Sequence, residues 1–253
     1  MYKGCLFLLL MVLGPHGLRA QETGSLKIAA AADLQPVLPA LIDRFEKQSH
    51  KQVVATYASS ATLATQILNG APFGLFLSAD LSFPQKVVDA GLADSAAPIP
   101  YARGTLVLWA RGDSPVQPIS IKSLRSPSLR TVAVANAEHA PYGRAAKAAI
   151  EKLGLTDTLK DKLVVAENIA QAAQYADSSN ADAGLISLTS ALTPRLWADG
   201  RYVIMPPDSY PPLLQGAVVI KTGPDRAEAH EFLNFLLSPP VREQLSELGL
   251  KAP

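Results

Sequence analysis

The stretch Tyr57-Ala58-Ser59-Ser60-Ala61-Thr62-Leu63-Ala64-Thr65-Gln66-Ile67-Leu68 places two hydroxyls and several small side chains where a strand should end and a helix begin, with no charge nearby. The first N–H groups of a helix have no partner inside it. Together with the helix dipole they favour a negative ligand. Four more corners share this chemistry: Ala30-Ala31-Ala32-Asp33, Pro141-Tyr142-Gly143, Glu167-Asn168-Ile169, and Ser187 at the end of an expected strand. Each presents backbone N–H groups at the carboxyl end of a strand, where open α/β sheets bind ligands. A cleft lined this way can hold a fully ionised oxyanion with neutral donors alone, and the spacing of the donors then selects by size. Serine and aspartate before a helix are also ordinary caps, so the corners alone identify no ligand.

Other chemistry has little support. There is no HExxH spacing, no GxSxG elbow, no Walker loop and no GxGxxG after a strand. Of the four histidines, His16 lies in the leader, His50 in a polar turn and His230 in a charged helix; only His139 is near a loop of interest, where facing solvent or bracing the loop is its expected role. Asp177 and Asp182 flank a Ser-Ser-Asn turn and read as turn formers rather than an acid–base pair. A secreted α/β enzyme would need a nucleophile or base with a partner, and no such pair is found.

The elements that position the corners alternate. Apolar strands are expected at 26–30, 53–57 and 73–78. Each is followed by a helix with apolar residues at helical spacing, such as Leu34, Val37, Leu38, Leu41, Ile42 and Phe45. The pattern repeats with strands at 131–135, 163–166 and 184–188. A β-rich segment at 105–110 and a second link through 202–205 and 215–220 join the halves, and helices near 227–237 and 240–248 close the chain. Repeated β-α units imply sheets covered on both faces, here mostly parallel. Two such units joined by two crossings imply two lobes, 21–104 plus 216–253 and 105–215, with a ligand cleft between them.

The chain has 253 residues, 48% hydrophobic and 18% charged, which suits a packed globular protein. Its first twenty residues carry Lys3, an apolar run, the breaker Gly14-Pro15 and a terminal Ala20, the layout of a secretory signal peptide cleaved near Ala20. Loss of that segment removes Lys3 and Arg19 and no acid, turning the net charge from +1 to −1. A near-neutral chain has no electrostatic case for nucleic acid or anionic membrane. The one cysteine, Cys5, leaves with the leader, so disulfides and Cys-ligated metals are not expected. An exported protein without cysteine suits a bacterial periplasm.

The segments KIAAAADLQPVLPAL, YASSATLATQILNGAPFGLFLSAD, ANAEHAPYGRAA, AENIAQAA and GLISLTSA occur in the order seen in periplasmic molybdate-binding proteins, the substrate-binding components of molybdate ABC transporters. The resemblance covers nearly the whole mature chain and is most specific from Tyr57 to Asp80. It implies a two-lobed periplasmic binding protein fold of type II that closes on molybdate, and usually tungstate, through hydroxyls and backbone amides. It also implies no cofactor and no metal ligated by side chains, with an inner-membrane ABC permease as partner and a monomeric state.

Carried over by position, the family's contacts fall on Asp33, Ser60, Tyr142 and Ile169 (the last two through their amides) and on Ser187, with Ser59 and Ala61 as secondary candidates. Three positions depart from the family pattern: Asp33 replaces a frequent serine, Gly74 stands where many members have aspartate, and Ser187 replaces the tyrosine of some members. An ionised acid beside a bound anion would repel it strongly in a low-dielectric cleft. The Asp33 side chain is therefore expected to turn away and cap its helix while its amide faces the ligand; the alternative is that Asp33 is protonated when ligand is bound. Sulfate, thiosulfate or phosphate on the same fold is the alternative ligand class, and a sensor that presents its bound form to a receptor is an alternative role.

Overall fold

The first run of elements is β1 (Leu26–Ala31), a 3-10 turn at Ala32–Leu34, α1 (Leu38–Ser49), β2 (Val53–Ala58), α2 (Ser60–Leu68), β3 (Leu75–Ser78), α3 (Ser82–Asp89) and β4 (Ile99–Gly104). The second is β5 (Leu106–Arg111), β6 (Val132–Ala135), α4 (Pro141–Lys152), α5 (Thr156–Leu159), β7 (Leu163–Ala166), α6 (Ile169–Asp177), β8 (Ala183–Ser187), α7 (Leu188–Ala191), α8 (Pro194–Asp199) and β9 (Gly200–Ile204). The chain then returns through β10 (Leu213–Val219) and ends in α9 (Arg226–Leu237) and α10 (Pro239–Glu247). This computed structural model describes residues 25–253, so the expected leader 1–20 lies outside the described residues.

The strands form two five-stranded sheets on one plan, β2-β1-β3-β10-β4 and β7-β6-β8-β5-β9. In each, four strands run the same way and one, β10 or β5, runs against them and pairs antiparallel on both of its sides. Each sheet is therefore mixed, with most of its strands running in one direction as expected. The reason is connectivity: β5 and β10 are where the chain crosses between sheets, and each enters against the run of the βαβ strands. Strand β10 starts at Leu213 and pairs with β4 from its first residue, so the lobe boundary expected at 215/216 falls inside a strand and the change of sheet lies before it.

Local sequence accounts for the elements. The parallel strands Leu75-Phe76-Leu77-Ser78 and Val132-Ala133-Val134-Ala135 are buried throughout, as strands covered on both faces must be. Helix α1 starts at Leu38 rather than after Asp33, because Pro39 has no N–H to give and fits only a first turn. It buries Leu38, Leu41 and Phe45 and ends at His50, which turns left-handed at φ 58°. In the second sheet Trp109 is fully buried and donates its ring N–H to the Leu196 carbonyl at 3.1 Å. Gly74 answers to packing: a Cβ there would lie 2.9 Å from the end of the Leu26 side chain and 3.7 Å from Ala229, under α9, so a larger residue requires Leu26 to shift.

The two sheets meet at their strand ends. Ala31, Ala32 and Ala79 from the first pack into the apolar cluster of the second with Ala140 and Tyr142. No helix among the described residues is long and apolar enough to cross a membrane.

Candidate functional site

At the start of α2 the two serines divide their work. Ser59 is the cap: its Oγ accepts the Thr62 N–H at 3.2 Å and lies 2.7 Å from the Thr62 hydroxyl. Ser60 is the first helical residue and is buried, and its Oγ accepts the Ala79 N–H at 3.1 Å. A hydroxyl that accepts still owns one proton. The Ser60 proton and the Ser60 amide, which has no acceptor within the helix, are both left to donate.

Helices α4 and α6 bring two more N-termini. Ala140 is extended, Pro141 occupies the first helical position and Tyr142 the next. Gly143 makes this approach feasible: a Cβ there would lie 2.5 Å from the Ala135 carbonyl oxygen, so only glycine lets α4 sit on the end of β6. Asn168 caps α6, its side chain accepting the Gln171 N–H at 3.0 Å, and Ile169 follows as the first helical residue. The amides of Tyr142 and Ile169 thus occupy first-turn positions.

These corners converge on one small cavity between the sheets. Asp33, Ser59, Ser60, Tyr142 and Ile169 all line it, with Ala31, Ala32, Ala58, Ala79, Ala140, Pro141 and Asn168. The walls contain no lysine, arginine or histidine. Among the described residues no group of three or more His, Cys, Asp or Glu side chains is placed to hold a metal ion. The cavity's chemistry is that of directed N–H and O–H groups among buried side chains, where hydrogen bonds to an anion are strong.

Two expected contacts are not there. Ser187 is buried outside the cavity and caps α7, accepting the Ser190 N–H at 3.2 Å. The Thr189 hydroxyl is placed to donate to the Asp33 carbonyl at 2.7 Å and to Ser187 Oγ at 2.9 Å, and the Ser187 hydroxyl can give its own proton to Ser190 at 2.8 Å. A side chain that short and fully engaged cannot reach a ligand. Ala61 is also excluded as a donor, because its N–H is taken by the His139 carbonyl of the other lobe at 3.1 Å.

Asp33 is the one carboxyl on the wall, and it is fully buried. Its side chain caps no helix: the 3-10 turn has no side-chain cap. Its Oδ2 instead accepts the Gln215 side-chain N–H from β10. Burial pushes its pKa from 3.8 up to about 7, against the lowering pull of Gln215 and Tyr142. The Tyr142 hydroxyl is close enough to act on the carboxyl yet makes no hydrogen bond of good geometry. That hydroxyl occupies the place a side chain at position 104 would need, 2.2 Å from where a Cβ would stand on Gly104. Gln215, Thr189 and Tyr101 were not legible as site residues, since each reaches Asp33 from a distant part of the chain.

The rim is polar and crosses the cleft. Arg144 on α4 pairs with Asp80 after β3, and its guanidinium stands 5.0 Å over the Phe83 ring. His139 lies 3.4 Å from Glu167, which also accepts from the Thr62 hydroxyl at 3.4 Å. The expected turn-formers instead hold other segments: Asp182 accepts the N–H groups of Arg130 and Thr131 at 2.8 and 3.1 Å, and Asp177 pairs with Arg195 at 2.9 Å.

Fold and site together define a two-lobed protein that encloses a small solute between its sheets. A family model for bacterial extracellular solute-binding proteins matches residues 26–251, and the chain belongs to that family, which is one of solute-binding transport proteins rather than enzymes. It is 34% identical over 226 residues to the molybdate-binding protein ModA of Rhodobacter capsulatus, covering 89% of this chain and 88% of that one. It is 31% identical over 234 residues to ModA of Escherichia coli, covering 90% and 89%. The solved periplasmic molybdate-binding protein of Azotobacter vinelandii superposes with a TM-score of 0.85 at 31% identity, over 90% of this chain and all of that one.

Proposed function

We propose that this protein captures molybdate, and tungstate with it, in the cavity walled by Asp33, Ser60, Tyr142 and Ile169, and delivers it to an inner-membrane ABC permease. It would do so as an exported, periplasmic monomer whose lobes close on the anion. The observation that carries the reading is the convergence of the α2, α4 and α6 N-termini on a small cavity with no cation in its walls. Directed dipoles suffice for a dianion there, and a fixed cage of donors rewards the anion whose oxygens reach all of them. The relatives named for molybdate give the ligand its identity.

Calorimetric titration of the mature protein with molybdate, tungstate, sulfate and phosphate tests this. Submicromolar binding of the first two with neither control competing is the expected result. Tight binding of sulfate or phosphate without molybdate would assign the site to another oxyanion.

A further inference from the structure

Behind the cavity wall lies a buried polar cluster that ligand capture through amides does not explain. Asp33 Oδ1, the Tyr142 hydroxyl and Gln215 Oε1 are all buried and all without a hydrogen-bond partner. Unpaired buried polar atoms are costly, and three in one cluster call for a cause. A carboxylate at position 33 is an acceptor only, so it leaves the Gln215 carbonyl with nothing to accept. A neutral acid is different. It presents C=O and O–H side by side, as a primary amide presents C=O and N–H, so the Asp33–Gln215 pair closes with two bonds instead of one.

The surroundings favour the neutral form. Tyr101 of β4, Tyr142 of α4 and Gln215 of β10 face the carboxyl, Thr189 of α7 holds the Asp33 carbonyl, and Tyr210 stands by Tyr142. No lysine, arginine or histidine is among the groups acting on Asp33. Arg144, at the rim, is already paired with Asp80. Tyr142 and Thr189 belong to the other lobe, so opening the cleft removes part of this enclosure and admits water. The carboxyl then returns toward the ordinary range.

We propose that Asp33 is a specificity residue that enters the closed cleft as the neutral acid, so that each oxyanion captured brings one proton from solvent into the protein. The inference rests on the oxyanion reading of the cavity. Its consequence follows from linkage: where the open form is ionised and the closed form protonated, affinity falls up to about tenfold per pH unit as pH rises. Burial, set against the hydrogen bonds that lower it, leaves the pKa raised to about 7, and a dianion across the wall raises it further.

The experiment is calorimetric titration with molybdate from about pH 6 to 8 in buffers of different ionisation enthalpy, which counts protons taken up. A carbon-13 NMR titration of the Asp33 carboxyl runs alongside, with and without molybdate. The expected results are uptake approaching one proton per molybdate, loss of both uptake and pH slope in D33N, retention of both in H139Q, and a carboxyl signal of the neutral acid in the complex. Binding without proton uptake, or the same slope in D33N, overturns the proposal and leaves the oxyanion reading intact. Failure of molybdate to bind refutes the molybdate reading. The NMR titration with whichever of tungstate, sulfate or phosphate does bind then decides the matter: a carboxyl still ionised in that complex overturns the proposal, and a neutral one supports it. Should D33N not fold, the wild-type proton count and carboxyl signal stand alone as the test.

Discussion

Ser60→Ala removes two things that the structure keeps apart. The first is the hydroxyl proton left over after Ser60 Oγ accepts the Ala79 N–H at 3.1 Å. A hydrogen bond to a charged group contributes about 1.5–3 kcal/mol, so its loss should weaken molybdate binding roughly 10- to 150-fold. The second is the acceptor for the Ala79 N–H, in a site where Ser60 is 1% exposed. An orphaned buried donor costs about 1–3 kcal/mol, which in a chain of this size lowers the melting temperature by roughly 2–10 °C. Calorimetry on the variant at a temperature well below its melt separates the two. An affinity within about twofold of wild type, with the melting temperature lowered as expected, would show that Ser60 braces the wall without touching the ligand.

Three further outcomes follow from the same geometry. Gly104→Ala places a methyl 2.2 Å from the Tyr142 hydroxyl and must push that ring, lowering stability by about 1–3 kcal/mol in a urea titration and weakening ligand binding as the α4 corner shifts. Arg144→Gln breaks a pair across the cleft in which Arg144 is 41% and Asp80 16% exposed; the partial exposure limits the loss to roughly 1 kcal/mol, read in stopped-flow as a several-fold faster release of ligand. The pH dependence has a defined sign: the Asp33 pKa is raised in the folded state to about 7, so its contribution is full below about pH 4 and lost as pH rises through about 7. The urea midpoint of wild type minus that of D33N should therefore fall across that window, and a difference flat in pH would contradict the burial assigned to Asp33.

Much of this architecture was legible in the order of residues, and what was not has physical causes. Strand β7 and the start of α6 lie where apolar runs and the Asn168 cap put them, because short-range signals set them. Strand β4 escaped notice: it opens on Ile99-Pro100 and closes on Gly104, which reads as loop, and it survives at a sheet edge through a register shift opposite Gln215 and Gly216. The brief helices α5, α7 and α8 are too short to show a helical period. In the site, the corners at Ser60, Tyr142 and Ile169 were readable because a helix start has a local signature. The fate of Asp33 was not, since its partner Gln215 lies 182 residues away. The place of Ser187 outside the cavity wall was hidden for the same reason: only the folded chain shows Thr189 and Ser190 closing around it.

The central claim is that one tetrahedral oxyanion sits among the first-turn amides of α2, α4 and α6. A crystal of the mature protein grown with molybdate, measured at the molybdenum absorption edge, tests it most directly. The account predicts one anomalous peak in the cavity, with oxygens in hydrogen-bond reach of the Ser60 hydroxyl and the amides of Ser60, Tyr142 and Ile169. A peak elsewhere, or molybdenum held by a carboxylate or a cationic side chain, would contradict it.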